Sequence, residues 1–293
     1  MKKAPTRPVL RYQGAKWRLA PWIIGHFPQH RVYVEPFGGS ASVLLRKPRS
    51  YAEIYNDLDK EVVSLFRILR DPESAARLIE LLELTPYSRD EFVMAYQPVV
   101  DPMERARRLL VRAGMGFGNS SAINDNLHLS GFRPGTGFRS NSNRSNTHPG
   151  MDWRRHPGTL PAVIDRLRGV VVENMDALAL MAQHDSAETL HYCDPPYVHS
   201  TRSKGNKDCA KHLYRHEMDD DGHRILATFL AGLQGFALVS GYRCDLYDEI
   251  FAGWQRVDKS CHADGARDRV ESLWLSPRTS AAVQSPLFLE EAA

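Results

Sequence analysis

The residues best suited to chemistry are Asp194-Pro195-Pro196-Tyr197, directly after the apolar run Thr189–Cys193. Two successive prolines hold the backbone extended. A carboxylate, a proline carbonyl and an aromatic face are thereby presented in fixed geometry. That set suits a flat heterocycle bearing an exocyclic amine: the carboxylate and the carbonyl accept its two N–H groups while the Tyr197 ring stacks. At the carboxyl end of a parallel strand such a loop faces the ligand crevice. Taken alone, the four residues also read as an ordinary proline-rich turn after a strand.

Three further segments carry polar or glycine-rich chemistry. Val34-Glu35-Pro36-Phe37-Gly38-Gly39-Ser40-Ala41 leads from a strand into an expected helix, Ser40–Arg46. It does not fit G-x-G-x-x-G, so it reads as close backbone approach to a ligand without a pyrophosphate, or as a tight turn needing glycine dihedrals. Asn56-Asp57-Leu58-Asp59 ends the next strand. An acid there either accepts from a ribose hydroxyl or caps the following helix, and Asp57 and Asp59 serve equally for the cap. Arg11-Tyr12-Gln13-Gly14-Ala15-Lys16-Trp17 is a compact polar and aromatic stretch, in which Lys16 by itself reads as a solvated lysine. Cys193 ends an apolar strand without an activator and reads as core. His212 and His216 lie four apart but outside any H-E-x-x-H pattern, which favours a solvated or phosphate-facing role over a metal pair.

The elements that must position these groups alternate. Strands are expected at Arg31–Pro36, Tyr51–Asp57, Gly169–Met175, Thr189–Pro195 and Phe236–Tyr242, each rich in β-branched and aromatic residues and followed by a turn signal. Helical spacing marks Leu58–Arg70 and Asp220–Gly235, the second capped by the Asp219-Asp220-Asp221 run and stopped by Gly235. Strands alternating with helices give an α/β fold with a largely parallel sheet.

The composition is that of a globular protein: 293 residues, 42% hydrophobic and 25% charged, with a formal net charge of +3. A weakly basic chain permits an anionic partner without demanding one. No apolar run reaches a membrane span, and the N-terminus lacks the apolar stretch of a secretory signal, so a cytoplasmic protein with no membrane role is expected. Cys193, Cys209, Cys244 and Cys261 form no C-x-x-C pair and read as reduced thiols rather than a disulfide or zinc framework. From Gly114 to Gly150, glycine, serine and asparagine supply 19 of 37 residues, Asp125 is the only acid, and Arg133, Arg139 and Arg144 interleave with Phe117, Phe132 and Phe138. This reads as a nucleic-acid-contacting lobe or as a floppy surface insertion. Ser280–Ala293 reads as a frayed tail.

In this order the four segments resemble the D12 class of DNA adenine-N6 methyltransferases, the Dam and DpnII type. The family's K-W-x-G-G-K-like opening is matched by Arg11–Lys16, its E-P-F-x-G-x-G turn by Glu35–Ala41, its acid ending the second strand by Asp57, and its D-P-P-Y loop by Asp194–Tyr197. Thr201-Arg202, the helix near Glu217–Gly235, Leu238-Val239-Ser240-Gly241-Tyr242 and Glu271-Ser272-Leu273-Trp274 extend the likeness over Val9 to Pro277. Tyr12 stands where tryptophan is frequent, Gln13 and Ala15 replace small residues, and the glycine turn ends in Ser40-Ala41-Ser42. The lobe does not match a GATC-reading segment, so the recognition sequence stays open.

The resemblance implies a Rossmann-like, S-adenosyl-L-methionine-dependent methyltransferase fold with an inserted DNA-recognition lobe. Residues 1–100 and 160–279 would form the catalytic domain, 101–159 the target-recognition lobe and 280–293 a flexible tail. It implies methyl transfer to N6 of an adenine flipped out of double-stranded DNA. Asp194, Pro195, Pro196 and Tyr197 would form the catalytic loop. Tyr12, Lys16, Glu35, Phe37, Gly38, Asp57, Asp176 and Asp194 would hold the donor, with Asp57 on its ribose and Asp176 at its adenine. Asn119, Arg133, Arg139 and Arg144 would contact DNA. No metal is expected, a cognate restriction nuclease is an allowed partner, and a monomer is the default. The rivals are amine methylation of cytosine N4, RNA or protein, and a DNA-binding protein without turnover. The leading aspartate and the basic lobe favour adenine in DNA, and an intact Asp194 and Lys16 favour turnover.

Overall fold

The computed structural model describes residues 4–116, 137–140, 148–202, 214–263 and 267–284. In chain order the strands are β1 (Val32–Glu35), β2 (Ala52–Asn56), β3 (Val170–Glu173), β4 (Thr189–Cys193), β5 (Phe236–Gly241), β6 (Gln255–Ala263) and β7 (Arg267–Leu275). The helices are α1 (Ala20–Ile24), α2 (Lys60–Arg70), α3 (Pro72–Leu84), α4 (Arg89–Met94), α5 (Pro102–Met115), α6 (Pro149–Arg155), α7 (Leu160–Leu167), α8 (Ala177–His184), α9 (Asp220–Ala231), α10 (Asp245–Ile250) and α11 (Pro277–Val283).

The strands form one sheet in the order β3-β2-β1-β4-β5-β7-β6. Pairing is parallel from β3 to β5, and β7 joins antiparallel to both β5 and β6. Strand order reverses between β1 and β4. In a parallel sheet a crevice opens at that point beyond the carboxyl ends of the strands. The side-chain period of two splits the core accordingly. Tyr33, Tyr55, Tyr192, Leu238 and Leu273 pack on the face covered by α2, α5 and α7. Their neighbours Val34, Ile54, Cys193, Val239 and Trp274 pack on the face covered by α8, α9 and α10.

The five expected strands all form, each within two residues of its expected bounds. Asp59, not Asp57, caps α2, accepting from the Glu61 N–H, and Asp219 caps α9 by accepting from the Gly222 N–H. Three expectations are corrected. Ser40–Arg46 forms consecutive turns rather than a regular helix, because the Leu44 N–H is drawn out of the ladder to Glu35 Oε2 at 3.0 Å. Helix α9 stops at Gly232. Gly235 is glycine for another reason: a Cβ there would lie 2.5 Å from the Thr189 carbonyl oxygen. The chain beyond Ser280 begins ordered, since Ser280–Val283 close α11 and the Ser280 hydroxyl donates to Gln255 at 2.6 Å.

Helix α5 opens the segment expected as a separate lobe, yet it buries Leu109, Leu110 and Met115 in the same core as α2. Among the described residues no helix is long and apolar enough to cross a membrane.

Candidate active site

Beyond the carboxyl ends of β1, β2 and β4 lies a cavity with an empty volume of about 910 Å³, its open mouth included. Its wall brings together residues that are distant in sequence. The N-terminal loop supplies Tyr12 and Lys16, the turn after β1 supplies Phe37 and Gly38, and Asp57 and Asp194 come from the ends of β2 and β4.

The turn after β1 is held by hydrogen bonds rather than by helix. Gly38 N–H donates to the Asn56 carbonyl at 2.8 Å, Gly39 N–H to Asp57 Oδ2 at 2.7 Å, and the Tyr55 hydroxyl to the Gly39 carbonyl at 2.7 Å. Gly38 has no room for a side chain, since a Cβ would lie 2.1 Å from the Tyr55 ring. Gly39 has φ +47°, the left-handed region that favours glycine. Asn56 ties this turn to the one after β3, its amide donating at 3.0 Å to both Pro36 O and Met175 O.

Two carboxyl groups in this wall are displaced from their usual range. Burial pushes Glu35 up to about 8, against the hydrogen bonds donated by Tyr33 and Leu44, and the charge of Asp194 adds to the rise. Burial likewise pushes Asp57 up to about 6, against the N–H groups of Asp59 and Gly39. Each is a carboxyl that gains by meeting a hydrogen-bond donor or a positive charge.

Lys16 is 3% exposed, not the solvated lysine that local sequence suggests. Its Nζ lies 2.8 Å from Asp194 Oδ1, 3.1 Å from Glu271 Oε1, 2.7 Å from the Tyr197 hydroxyl and 3.2 Å from the Gly14 carbonyl. Burial alone would discharge it, but Asp194 and then Glu271 hold the ammonium well above the ordinary lysine value. Asp194 receives a second bond at Oδ1 from the Ser240 hydroxyl at 2.7 Å. Ser240 has one proton, so Tyr192 donates to Ser240 at 2.9 Å and completes a chain of three side chains. Among the described residues no partner is made to Asp194 Oδ2. The carboxylate is fixed through one oxygen and presents the other.

Tyr197 is 8% exposed, its ring tilted by 31° against Tyr242 at 4.6 Å between centroids and covered by the Lys16 ammonium at 4.7 Å. Arg202 fixes its carbonyl through two N–H groups at 2.7 and 3.0 Å and is itself paired with Glu217. Arg215 lines the cavity and is tied to Asp59 at 2.7 Å and Glu61 at 3.0 Å.

Of the residues singled out in sequence, Tyr12, Lys16, Glu35, Phe37, Gly38, Asp57, Asp194, Pro195 and Pro196 line the cavity, and Tyr197 lies directly behind it through Lys16. Asp176 is not in its wall. It caps α8, accepting from the Ala179 N–H, while its neighbour Ala177 lines the cavity. Arg139 is 2.9 Å from Asp152 and its side chain is 13% exposed. Asn119, Arg133 and Arg144 lie outside the described residues, as does His212, whereas His216 lines the cavity. Cys193 is buried core, its thiol directed at Met181 Sδ and held above the ordinary thiol value first by burial and then by Asp194. Sequence reasoning assigned no role to Glu271, Ser240, Tyr214 or Tyr242. The signal for two of them was present, since Ser240 and Glu271 sit in the two late segments that carried the family likeness.

A search of the curated proteins finds no match. The model of the D12 class N6 adenine-specific DNA methyltransferase family matches residues 12–261, a span holding every cavity residue named above. A reversed-order seven-stranded sheet, an aspartate-proline loop at its switch point and this match agree: the chain belongs to the D12 class of N6 adenine-specific DNA methyltransferases.

Proposed function

We propose that this enzyme takes its methyl group from S-adenosyl-L-methionine held in the cavity, and delivers it to the N6 of an adenine extruded from double-stranded DNA. The donor set fits that molecule. Carboxylates from Asp57, Asp59, Asp194 and Glu217 outnumber the cations Lys16 and Arg215 in the wall, which suits a positively charged ligand. Asp57 is a buried carboxylate suited to ribose hydroxyls, and Tyr12, Phe37 and Leu58 offer apolar and aromatic surface to a purine. When bound, S-adenosylmethionine supplies a methyl group on a positively charged sulfur that departs as a neutral thioether.

The observation that carries the reading is the mounting of Asp194, pinned at Oδ1 by Lys16 and Ser240 with Oδ2 presented at the cavity. In this reading Oδ2 and the Pro195 carbonyl accept the two N–H bonds of the adenine amine and turn its lone pair toward the methyl group. Positioning of this kind supplies much of the rate for a reaction whose leaving group is already good. Tyr197, packed against Tyr242 and Lys16, is the ring assigned to stack on the base. Cys193 is unsuited to the covalent route used at carbon, because burial keeps its thiol protonated. Residues 101–159, rooted in the catalytic core through α5, serve as the target-recognition lobe, with Asn119, Arg133 and Arg144 on the DNA and Arg139 bracing the lobe through Asp152. Asp176 acts on the donor through the α8 terminus it caps.

The test incubates the protein with labelled S-adenosylmethionine and methyl-free genomic DNA, followed by digestion to nucleosides. Label in N6-methyladenine is the expected result. Label in N4-methylcytosine, or none beside an active control enzyme, overturns the reading.

A further inference from the structure

Glu271 is a second carboxylate on a single buried cation. Lys16 donates to Gly14 O at 3.2 Å and to the Tyr197 hydroxyl at 2.7 Å. Asp194 Oδ1 at 2.8 Å and Glu271 Oε1 at 3.1 Å both lie in ion-pair range of the same ammonium. Asp194 Oδ1 also accepts from Ser240, whereas Glu271 Oε1 is buried without a hydrogen bond among the described residues. Placing a carboxylate in such a position costs desolvation and gains no hydrogen bond at that oxygen. Its surplus is charge. Asp194 and Lys16 together are neutral, so Glu271 brings the three groups to a net charge of minus one, with Arg269 the next cation that acts on it.

We propose that Glu271 is the residue by which the site distinguishes the positively charged methyl donor from its neutral thioether product. It does so as a positioning and charge-setting residue acting across Lys16, placed on β7 away from the reacting atoms. Without it the paired Lys16 would cancel the charge of Asp194, and the cavity would lose part of its preference for a cation over the otherwise identical product. With it the site favours binding of fresh donor and release of spent donor. The inference rests on the reading of the cavity as the donor site.

Calorimetric titration of the full chain with S-adenosylmethionine and with S-adenosylhomocysteine tests it, because the two ligands differ by one methyl group and one positive charge. In Glu271→Gln the cluster becomes neutral. The donor should bind roughly tenfold more weakly while the product changes by less than about twofold, because only the donor carries the charge on which Glu271 acts. Glu271→Asp keeps the charge and should keep the wild-type ratio of affinities. Glu271→Leu also makes the cluster neutral while leaving Lys16 paired with Asp194, so it should lose the ratio as Glu271→Gln does, and it serves where Glu271→Gln does not fold. Equal weakening of both ligands in the neutral variants, or a ratio lost in Glu271→Asp, overturns the inference and assigns Glu271 to geometry alone. Failure of the underlying reading looks different: the wild-type protein binds neither ligand, or Asp57→Asn leaves both affinities unchanged.

Discussion

Two buried lysines in this molecule are set among carboxylates, and they are opposites. Lys47 lies 2.7 Å from Glu53 Oε1, and Arg166 meets the same carboxylate at 2.6 and 2.8 Å. Here two cations serve one acid, both carboxylate oxygens are used, and neither cation lines the cavity. Around Lys16 one cation serves two acids, and both acids keep an oxygen without a hydrogen bond among the described residues. The titration directions follow. Burial raises Glu53, but the hydrogen bonds of Arg166 and Lys47 outweigh it and hold it below the ordinary glutamate value. Burial raises Glu271 as well, and there the single ammonium does not compensate. A fully engaged buried network fixes a fold. One with acceptors to spare is arranged for a ligand that arrives later.

The sharpest way to break this contrast is to remove one acid from each cluster. Asp194→Ala should abolish methyl transfer, with a loss on the order of a thousandfold or more, the range expected when a group aimed at the reacting atom is deleted. Its melting temperature should stay within a few degrees of wild type, since Asp194 is partly exposed and, among the described residues, bonded through one oxygen. A variant that is well folded and still transfers methyl groups would remove Asp194 from the chemistry.

Glu53→Ala should do the reverse. Lys47 and Arg166 would be left buried without their counter-charge, a loss of about 3–5 kcal/mol of stability by the usual cost of breaking a buried pair. The fraction that remains folded should transfer methyl groups at the wild-type rate per folded molecule. Denaturant unfolding with an active-site titration measures both. A stable Glu53→Ala would mean that the two clusters are not the opposites described.

A smaller effect is expected at Ser240, which touches Asp194 without facing the cavity wall. Ser240→Ala deletes the 2.7 Å bond to Oδ1 and leaves Lys16 to orient the carboxylate alone. Turnover should fall roughly tenfold with little change in KM for donor or DNA, because the lost interaction aims a group and does not hold a ligand. A rise in KM with turnover intact would place Ser240 in binding instead.

The same contrast explains what could be read without coordinates. Strands β1 to β5 were legible because their apolar runs are continuous, and capping at α2 and α9 because a capping acid is a local signal, although the choice of Asp59 over Asp57 was not. The Asp194–Tyr197 loop was legible because two prolines after a strand are rare and stiff. The turns at Ser40–Arg46 were not, since the carboxylate that diverts the Leu44 N–H belongs to Glu35, nine residues upstream. Nor was the burial of Lys16: its partners lie 178 and 255 residues onward, and only the pairing of β7 with β5 brings Glu271 to it. Strand β6 escaped because Gln255–Ala263 is a polar edge strand with no apolar run. Local physics reaches elements and caps, whereas the charge balance of a site is a property of topology.

The smallest expected effect concerns Asp57, and it is a matter of pH. In the ligand-free protein its carboxyl is pushed up to about 6 by burial. A ribose hydroxyl donating to the carboxylate stabilises the charged form and lowers that value in the complex. Binding therefore releases a proton below about pH 6. Through this group donor affinity should be constant above that value and fall as the pH drops through it, by at most about tenfold per pH unit. Asp57→Asn cannot ionise, so its affinity should be lower at neutral pH and flat across the same window. Glu35, pushed up to about 8, adds a separate step on the alkaline side, where its ionisation strengthens the binding of a cation, and Glu35→Gln should remove that step alone. Calorimetry in buffers of different ionisation enthalpy reads the proton released. An acid-side step that survives in Asp57→Asn would take the ribose away from Asp57 and leave it as the brace of Gly39 that its 2.7 Å hydrogen bond already makes it.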